Sequence, residues 1–420
     1  MRHLIFLAAR SAWNRRLTLS LTLASIALSV ALLLGVDRVR RDARESFGQS
    51  VAGTDLVVGA RTSPVQLMLY AVFRIGEATN NMRWESFEKV AAHPMVSWAV
   101  PLSLGDSHKS YSVVGTSAAY FERFRYGAAE NLKFASGKAF DTVFEAVVGA
   151  EVAQRLDYRV GSRIVLSHGT SDVSAADHGD KPFQVVGVLA PTGTPVDRSV
   201  HVPLEAIAAI HLDWQGGAPI PGVSIAAEHV RKFDLKPKEI TAALVGLKNR
   251  AAVFRMQREI NESKGEPLLA VMPGVALDQL WQVVGMAERV LLAVSAMVVA
   301  VGLAGLVAVV LAGLNERRRE LAILRSVGAR PRDIFVLLMM EAAGVTVLGA
   351  LLGLVVLNVL TVVFAPLAAA QYGLIIGLRF IGPGESALLG VVIAVGVLAS
   401  LIPGYRAYKL SLADGLTPRI

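Results

Sequence analysis

The side chains best suited to hold a metal ion gather in one stretch of the chain. His168, Asp172, Asp177, His178 and Asp180 fall within SHGTSDVSAADHGD, and His201 and His211 follow it. Neutral imidazoles and carboxylates are ordinary zinc ligands. Their spacing matches no closed structural site, and Gly, Ser, Asp and His are also normal loop residues. A polar, solvated loop is therefore the expectation, and no metal ligand set is assigned. No nucleophile with a local base partner stands out, so the chain is not expected to be an enzyme. The nearest fragment to a phosphate-binding loop is Ser136-Gly137-Lys138-Ala139. It lacks the earlier glycine of G-x-x-x-x-G-K-[ST] and a hydroxyl after the lysine.

The other chemically distinctive stretch is Leu314 to Glu341, LNERRRELAILRSVGARPRDIFVLLMME, which packs five of its six arginines into positions 317 to 330. It is too charged to sit in lipid and too short to be a domain, so it reads as a tight turn on one membrane face. A helix beginning at Glu316 would present its arginines to an acidic partner, and Gly328-Ala329-Arg330-Pro331 would break it before the next apolar run. Enforcing topology or binding anionic headgroups is the plainer use of the same charges. Glu341 is the one ionisable residue well inside an apolar run. That placement costs roughly 2.5 to 3.5 kcal/mol at a helix centre, so it is expected near the interface, pairing with an arginine of the turn or snorkelling to the headgroups.

The elements that hold these residues follow from hydropathy. With 53% hydrophobic and only 18% charged residues, the chain is more apolar than a typical soluble protein. Leu17 to Val36 has no charge over about twenty residues, enough to cross a hydrocarbon core of roughly 30 Å. Further runs give four transmembrane helices, at 17–36, 281–314 with a stalk at its start, 334–365 and 386–402, the last bounded by Pro383 and Pro403. Arg15-Arg16 before the first span could start a signal peptide. The apolar region is too long for one and no small-x-small site precedes Asp37, so a retained anchor is expected. Arg2, Arg10, Arg15 and Arg16 precede the first span, the arginine turn lies between the second and third, and Arg406, Lys409 and Arg419 follow the fourth. By the positive-inside rule the segments 1–16, 315–333 and 403–420 are cytoplasmic, and 366–385 is a short loop outside.

Residues 37–280 then form an extracytoplasmic α+β domain, expected as two subdomains. The chain has no cysteine, so its core does without disulfides. Val96 to Leu104, Ser110 to Gly115, Phe183 to Leu189 and Ile240 to Val245 suit strands, and Trp84 to Ala92 and Arg250 to Ser263 suit helices. Glu145 to Leu166 reads as strand, helix, a turn at Gly161 and strand. The apolar stretch Asp55 to Ile75 is expected to be buried core, with a substrate-binding or membrane-facing surface as the alternative. Met272 to Arg289 continues as helix into the second span, so that movement outside would be felt in the membrane.

Glu316-Arg317-Arg318-Arg319-Glu320-Leu321-Ala322-Ile323-Leu324-Arg325-Ser326-Val327-Gly328-Ala329, with Asp333-Ile334, Glu341, and the tail Pro403-Gly404-Tyr405-Arg406-Ala407-Tyr408-Lys409-Leu410, resembles the permease subunits of MacB, FtsX and LolC/LolE type ABC transporters. The resemblance spans the whole chain, with Glu145 to Leu166 and the strand Phe183 to Leu189 leading to Asp197 to Leu204 matching in the outer domain. Ser411-Leu412 departs from it, where the family tail commonly has an acidic residue and proline.

The resemblance implies an inner-membrane protein whose large domain is in the periplasm and whose coupling residues are Glu316, Arg317, Arg318, Arg319, Glu320, Arg325 and Gly328. It implies mechanotransmission: a separate cytoplasmic ABC ATPase dimer binds ATP and Mg, and its motion passes to the outer domain. The substrate would be periplasmic or membrane-derived, such as a lipoprotein or an effluxed molecule. A second permease chain, identical or paralogous, a periplasmic or outer-membrane partner and membrane lipids are the other implied partners. No cofactor in this chain and no nucleic acid are implied. The alternative is an FtsX-like regulator of a cell-wall hydrolase.

Overall fold

The uncharged run after Arg16 does form a helix, but it does not stop at Val36. In the computed structural model, which describes residues 16–168, 178–215, 218–220, 223, 225–316, 318–372 and 379–409, α1 spans Arg16–Gln49. The outer domain was expected to begin at Asp37. The helix continues because Asp37, only 2% exposed, accepts a hydrogen bond from Arg40 and forms an ion pair with Arg41, at 2.8 Å each, at i+3 and i+4. Its buried carboxylate is neutralised without leaving the helix.

By its contacts the chain divides into two units, one made of residues 1–42, 285–367 and 376–420, the other of 43–284 and 368–375. Strands and short helices fill the chain between α1 and the next long helix. In the second unit these are α2 (Pro64–Ala71), α3 (Trp84–Ala91), α4 (Ala119–Arg123), α5 (Ala150–Leu156), α6 (Leu204–Ile210) and α7 (Val253–Asn261). A 12-stranded sheet carries them. Its strands are β1 (Leu56–Ala60), β2 (Val96–Ser103), β3 (Asp106–His108), β4 (Tyr111–Thr116), β5 (Phe134–Gly137) and β6 (Glu145–Val148), followed by β7 (Arg163–Ile164), β8 (Ser167–His168), β9 (Phe183–Leu189), β10 (Ser199–Pro203), β11 (Ala242–Leu247) and β12 (Leu268–Val271).

The sheet order is β7-β9-β6-β10-β4-β2-β11-β1-β12, with β3 joining β4 to β8 and β5 on β9. Only β9 with β6 and β10 with β4 run parallel; the other pairs are antiparallel. Two helix-covered apolar clusters lie on this one sheet. α3 and α7 bury Phe87, Val90, Met256 and Ile260 over β1, β11 and β12. α5 and α6 bury Val152 and Ile210 over Val148, Val185 and Val202. Each such side chain contributes about 1.5 to 3 kcal/mol when fully buried. Asp55 to Ile75 supplies β1 and α2, with Leu56, Leu67, Met68 and Tyr70 in the interior as expected.

The first unit is helical. α8 (Pro273–Glu316), α9 (Arg318–Ser326), α10 (Pro331–Tyr372) and α11 (Pro383–Lys409) follow the sheet in sequence, and four of the described helices, α1, α8, α10 and α11, are long and apolar enough to cross a membrane. α8 is 44 residues long and starts at Pro273, in line with the helical reading of Met272 to Arg289 running into the second span. α10 and α11 run through Pro366 and Pro403, both of which were expected to end spans. Proline removes one backbone donor, but unwinding in lipid would strand many, so the helix continues past it. Hydroxyls inside the spans donate to the carbonyl one turn back, as Ser29 does to Ser25, Thr346 to Ala342 and Thr361 to Leu357.

Close approach sets the packing of α1 on α10. A Cβ added at Gly353 would lie 2.7 Å from the Ala27 carbonyl oxygen, and one at Gly349 would lie 2.7 Å from Ile26. The two glycines form a G-x-x-x-G face that lets the backbones meet. Ile26, Val30, Leu34, Leu303, Leu338 and Leu354 fill the space around it.

Candidate functional site

The arginine-rich connection is built as two capped helix ends back to back. α9 closes with Ala329 donating to the Leu324 carbonyl at 3.0 Å and Gly328 donating to that of Arg325 at 3.1 Å. That pair of bonds needs a left-handed residue, supplied by Gly328 at φ +103°. α10 opens at once: Pro331 takes the first helical position, and Asp333 accepts from the Arg330 amide at 2.8 Å. The predicted break at Gly328-Ala329-Arg330-Pro331 therefore lies where the sequence put it.

α9 is amphipathic. Leu321 and Ala322 are buried, and Leu324 packs against the same apolar cluster. Ile323 and Val327, one turn apart, are 53% and 82% exposed. Arg317 lies outside the described residues, and for Glu316, Arg318, Arg319 and Glu320 only the backbone is described. Arg325 is half-buried on α9, and Glu341 is half-buried on α10.

A buried ionic cluster sits far along α10 from this connection, Asp333 and Thr361 being about 42 Å apart at 1.5 Å per residue. Arg38 and Glu385, 3% and 6% exposed, meet through Nε–Oε1 at 2.6 Å and Nη2–Oε2 at 2.8 Å. Arg38 Nη1 also reaches Asn358 and Thr361, at 3.3 and 3.2 Å, and the Gly382 amide donates to Glu385. Arg379 pairs with Asp42 at 2.9 Å. The cluster ties α1, α10 and α11 together. Sequence reasoning missed it by ending α1 at Val36, which made Glu341 look like the lone intramembrane charge. The signal was Asp37-Arg38 at the end of one run and Glu385 at the start of another.

In the sheet unit, the metal-ligand residue types sort themselves by geometry. Asp106, His178 and His211 bring one ligand atom each to within 4.8 Å of one another. Asp106 heads β3, opposite His168 in the β3–β8 register. His178 is fully buried and donates its amide to Leu166 at 3.0 Å. His211 is the residue at which α6 ends. Its Nδ1 lies 2.7 Å from the Ile207 carbonyl, and its Nε2 faces Asp106 at 3.7 Å. Trp214 lies against the His178 ring, centroids 4.4 Å apart. Behind them Lys181, completely buried, holds Asp213 through bonds of 2.7 and 2.8 Å.

The sequence set this group aside because its ligands are scattered, and Asp106, which lies far upstream, was not considered at all. Asp172 and Asp177 lie outside the described residues, and the His168 side chain is not described. Asp180 pairs with Lys181 at 3.0 Å rather than joining the group. His201 lies elsewhere. It is fully buried in β10 between Tyr120 and Phe121, with ring centroids at 5.2 and 5.7 Å. Burial, and then the Arg74 charge, push its pKa down to about 3, so it is a neutral core residue.

Two cavities of about 350 and 560 Å³ open beside these residues, sharing Arg74, Ser110 and Ser112 as walls. The smaller is completed by Phe47, Phe73, Tyr111 and Arg198, the larger by Tyr70, Gly105 and Asp106. The mixture of aromatic faces with two arginines suits an amphipathic molecule carrying negative charge.

The family model for the MacB-like periplasmic core domain matches residues 19–262, and that for the FtsX-like permease C-terminal region matches residues 292–412. The chain belongs to the MacB/FtsX-type ABC permease family. Among relatives of this family, it is 25% identical over 428 residues to the pyoverdine export ATP-binding/permease protein PvdT of Pseudomonas putida, covering 98% of this chain and 59% of that one. It is also 25% identical over 354 residues to the macrolide export ATP-binding/permease protein MacB of Azoarcus sp., covering 80% and 48%. The chain thus spans 59% and 48% of the length of these two relatives. Of solved structures, the periplasmic region of MacB from Actinobacillus actinomycetemcomitans aligns with TM-score 0.35 and 10% identity, over 55% of this chain and 94% of that one. The extracellular domain of the noncanonic ABC-type transporter YknZ from Gram-positive bacteria aligns at 0.31 and 12%, over 52% and 98%.

Proposed function

We propose that this MacB/FtsX-type permease transmits ATP-driven motion from a separate cytoplasmic ATPase dimer to its α+β unit, held outside the inner membrane between the first and second spans. The observation that carries the reading is the pair of exposed apolar residues, Ile323 on a short helix rich in arginine and Val327 just past its end. An arginine cluster that only sets topology has no need of them, whereas a headgroup-bound helix would seat them in the membrane interface. A partner groove with an acidic rim and an apolar floor would use both. α8 supplies the lever: one helix of 44 residues, about 66 Å at 1.5 Å per residue, ends beside α9 in sequence and begins after β12.

Two permease chains would face one ATPase dimer. The cargo would be a periplasmic or membrane-derived molecule, expelled without crossing between the four spans. The export names of the relatives favour an effluxed small molecule over a lipoprotein, and the arginine-lined cavities suit an anionic one.

Co-purification with the cognate ATPase tests the reading. Reversing Arg317, Arg318 and Arg319 to glutamate should abolish it, but also removes positive-inside charge, so insertion must be measured first. Val327→Asp alone changes no arginine, and is expected to weaken association at least tenfold at normal abundance. Retention of full ATPase binding by both correctly inserted variants would make headgroup binding the better account.

A further inference from the structure

We propose that Asp106, His178 and His211 form an exchangeable binding site for a zinc-class divalent cation in the α+β unit. The donor set is two imidazole nitrogens and one carboxylate oxygen, which suits zinc and its transition-metal neighbours and not calcium or magnesium, whose sites are built from oxygens. Tetrahedral arms of about 2.0 to 2.1 Å place ligand atoms about 3.4 Å apart. His211 Nε2 and Asp106 Oδ1 already stand at 3.7 Å, and all three ligand atoms lie within 4.8 Å of one another. Closing the group on an ion takes movement of about 1 Å.

The surroundings are those of a site and not of a chance encounter. The Ile207 carbonyl lies 2.7 Å from His211 Nδ1 and Nε2 faces Asp106, the arrangement by which a backbone carbonyl orients a metal-bound imidazole. Trp214 fixes the plane of the His178 ring. The buried Lys181–Asp213 pair joins the turn that carries His178 to the segment that carries His211. Lys181 also donates its amide to the His178 carbonyl at 3.0 Å, and Trp214 donates to that of His211 at 3.1 Å. These bonds set the two rings in place before any ion arrives.

Three protein ligands leave one position open. Asp106 forms part of the wall of the 560 Å³ cavity, and His211 is partly exposed, so both water and the ion have a way in. Such a site exchanges its ion with solution. It would also pin the end of α6 to β3, two elements otherwise joined through β4 and β10. The proposal stands independently of the ATP-coupling reading.

The test uses the full-length protein in detergent, stripped with chelator and titrated with zinc chloride by calorimetry, with bound metal counted by mass spectrometry. One zinc per chain is expected, together with a melting temperature that rises with zinc concentration by mass action. His178→Ala and His211→Ala should each weaken binding about 100-fold or more. His93→Ala and His229→Ala, one half-buried and one exposed histidine away from the group, should leave it unchanged. Because His178 is fully buried and its variant could fold poorly, His211→Ala is decisive alone. Cobalt(II) gives a second readout: the visible bands of a four-coordinate ion should appear with wild type and vanish with His211→Ala. Absence of zinc binding by the wild type, or equal binding by a folded His211→Ala, would overturn the proposal and leave Asp106 and His211 as a simple ion pair.

Discussion

At the scale of the residue, burial decides what the charged and titratable groups can do. His201 shows this most simply, since desolvation followed by the nearby Arg74 charge drives its pKa from 6.5 to about 3. The folded state therefore holds it neutral while the unfolded chain takes up a proton below about pH 6.5. Its contribution to stability is complete above pH 6.5, and is lost as the pH falls from 6.5 toward 3, by up to about 1.4 kcal/mol per pH unit. His201→Leu should flatten that part of the profile, measured as melting temperature against pH in detergent. An unchanged acid slope in the variant would mean that other groups carry it. Sequence alone could not separate His201 from His211, because neither stands in a motif that says what its ring faces. The folded contacts show that one packs on Tyr120, ring centroids 5.2 Å apart, and the other faces Asp106 at 3.7 Å. The Lys181–Asp213 pair was equally invisible, as its partners stand 32 residues apart.

At the scale of the element, most of what was legible came from local chemistry. The G-A-R-P-R-D turn, the strand at Phe183–Leu189 and the helix at Trp84–Ala91 each carry their own start and stop signals within a few residues. The long helices were legible in number but not in extent, because their ends are decided by tertiary partners: Asp37 and Arg38 stay helical by pairing. Prolines 366 and 403 fail to end α10 and α11 because lipid penalises open backbone. The seam between α1 and α10 allows a direct test of how closely these helices must pack. Gly353→Leu should force Ala27 and Val30 away from α10 and cost about 1 to 3 kcal/mol, read as an earlier midpoint of SDS-driven unfolding. Gly344→Leu, on the same helix where an added Cβ meets no neighbour within 4 Å, is the control expected to be neutral. If the two variants unfold alike, the G-x-x-x-G face does not set the packing.

At the scale of the whole molecule, the functional reading depends on α8 behaving as one rod. Residues 285–316 of this helix belong to the unit containing the spans, and residues 273–284 to the unit containing the sheet. A rod that passes motion must resist bending at the boundary, and the sequence there, Val283-Val284-Gly285-Met286, offers no proline to break it. Met286 is 68% exposed, so replacing it removes little packing. Met286→Pro deletes one helix hydrogen bond and crowds the preceding turn, a local cost of about 3 kcal/mol. It should leave each unit folded while letting the helix kink. Because the chain has no cysteine, single-cysteine reporters at Ser263 and Ser326 can first establish insertion, with labelling from outside expected only at Ser263. Hydrogen exchange is then compared between nucleotide-free and vanadate-trapped complexes with the ATPase. Wild type and Met286→Ala should show nucleotide-dependent exchange both in 318–326 and within 43–284. In Met286→Pro the change in 318–326 should persist and the change within 43–284 should disappear. If the proline variant transmits the change as well as wild type does, α8 is not the lever, and the motion must reach the sheet unit through α1.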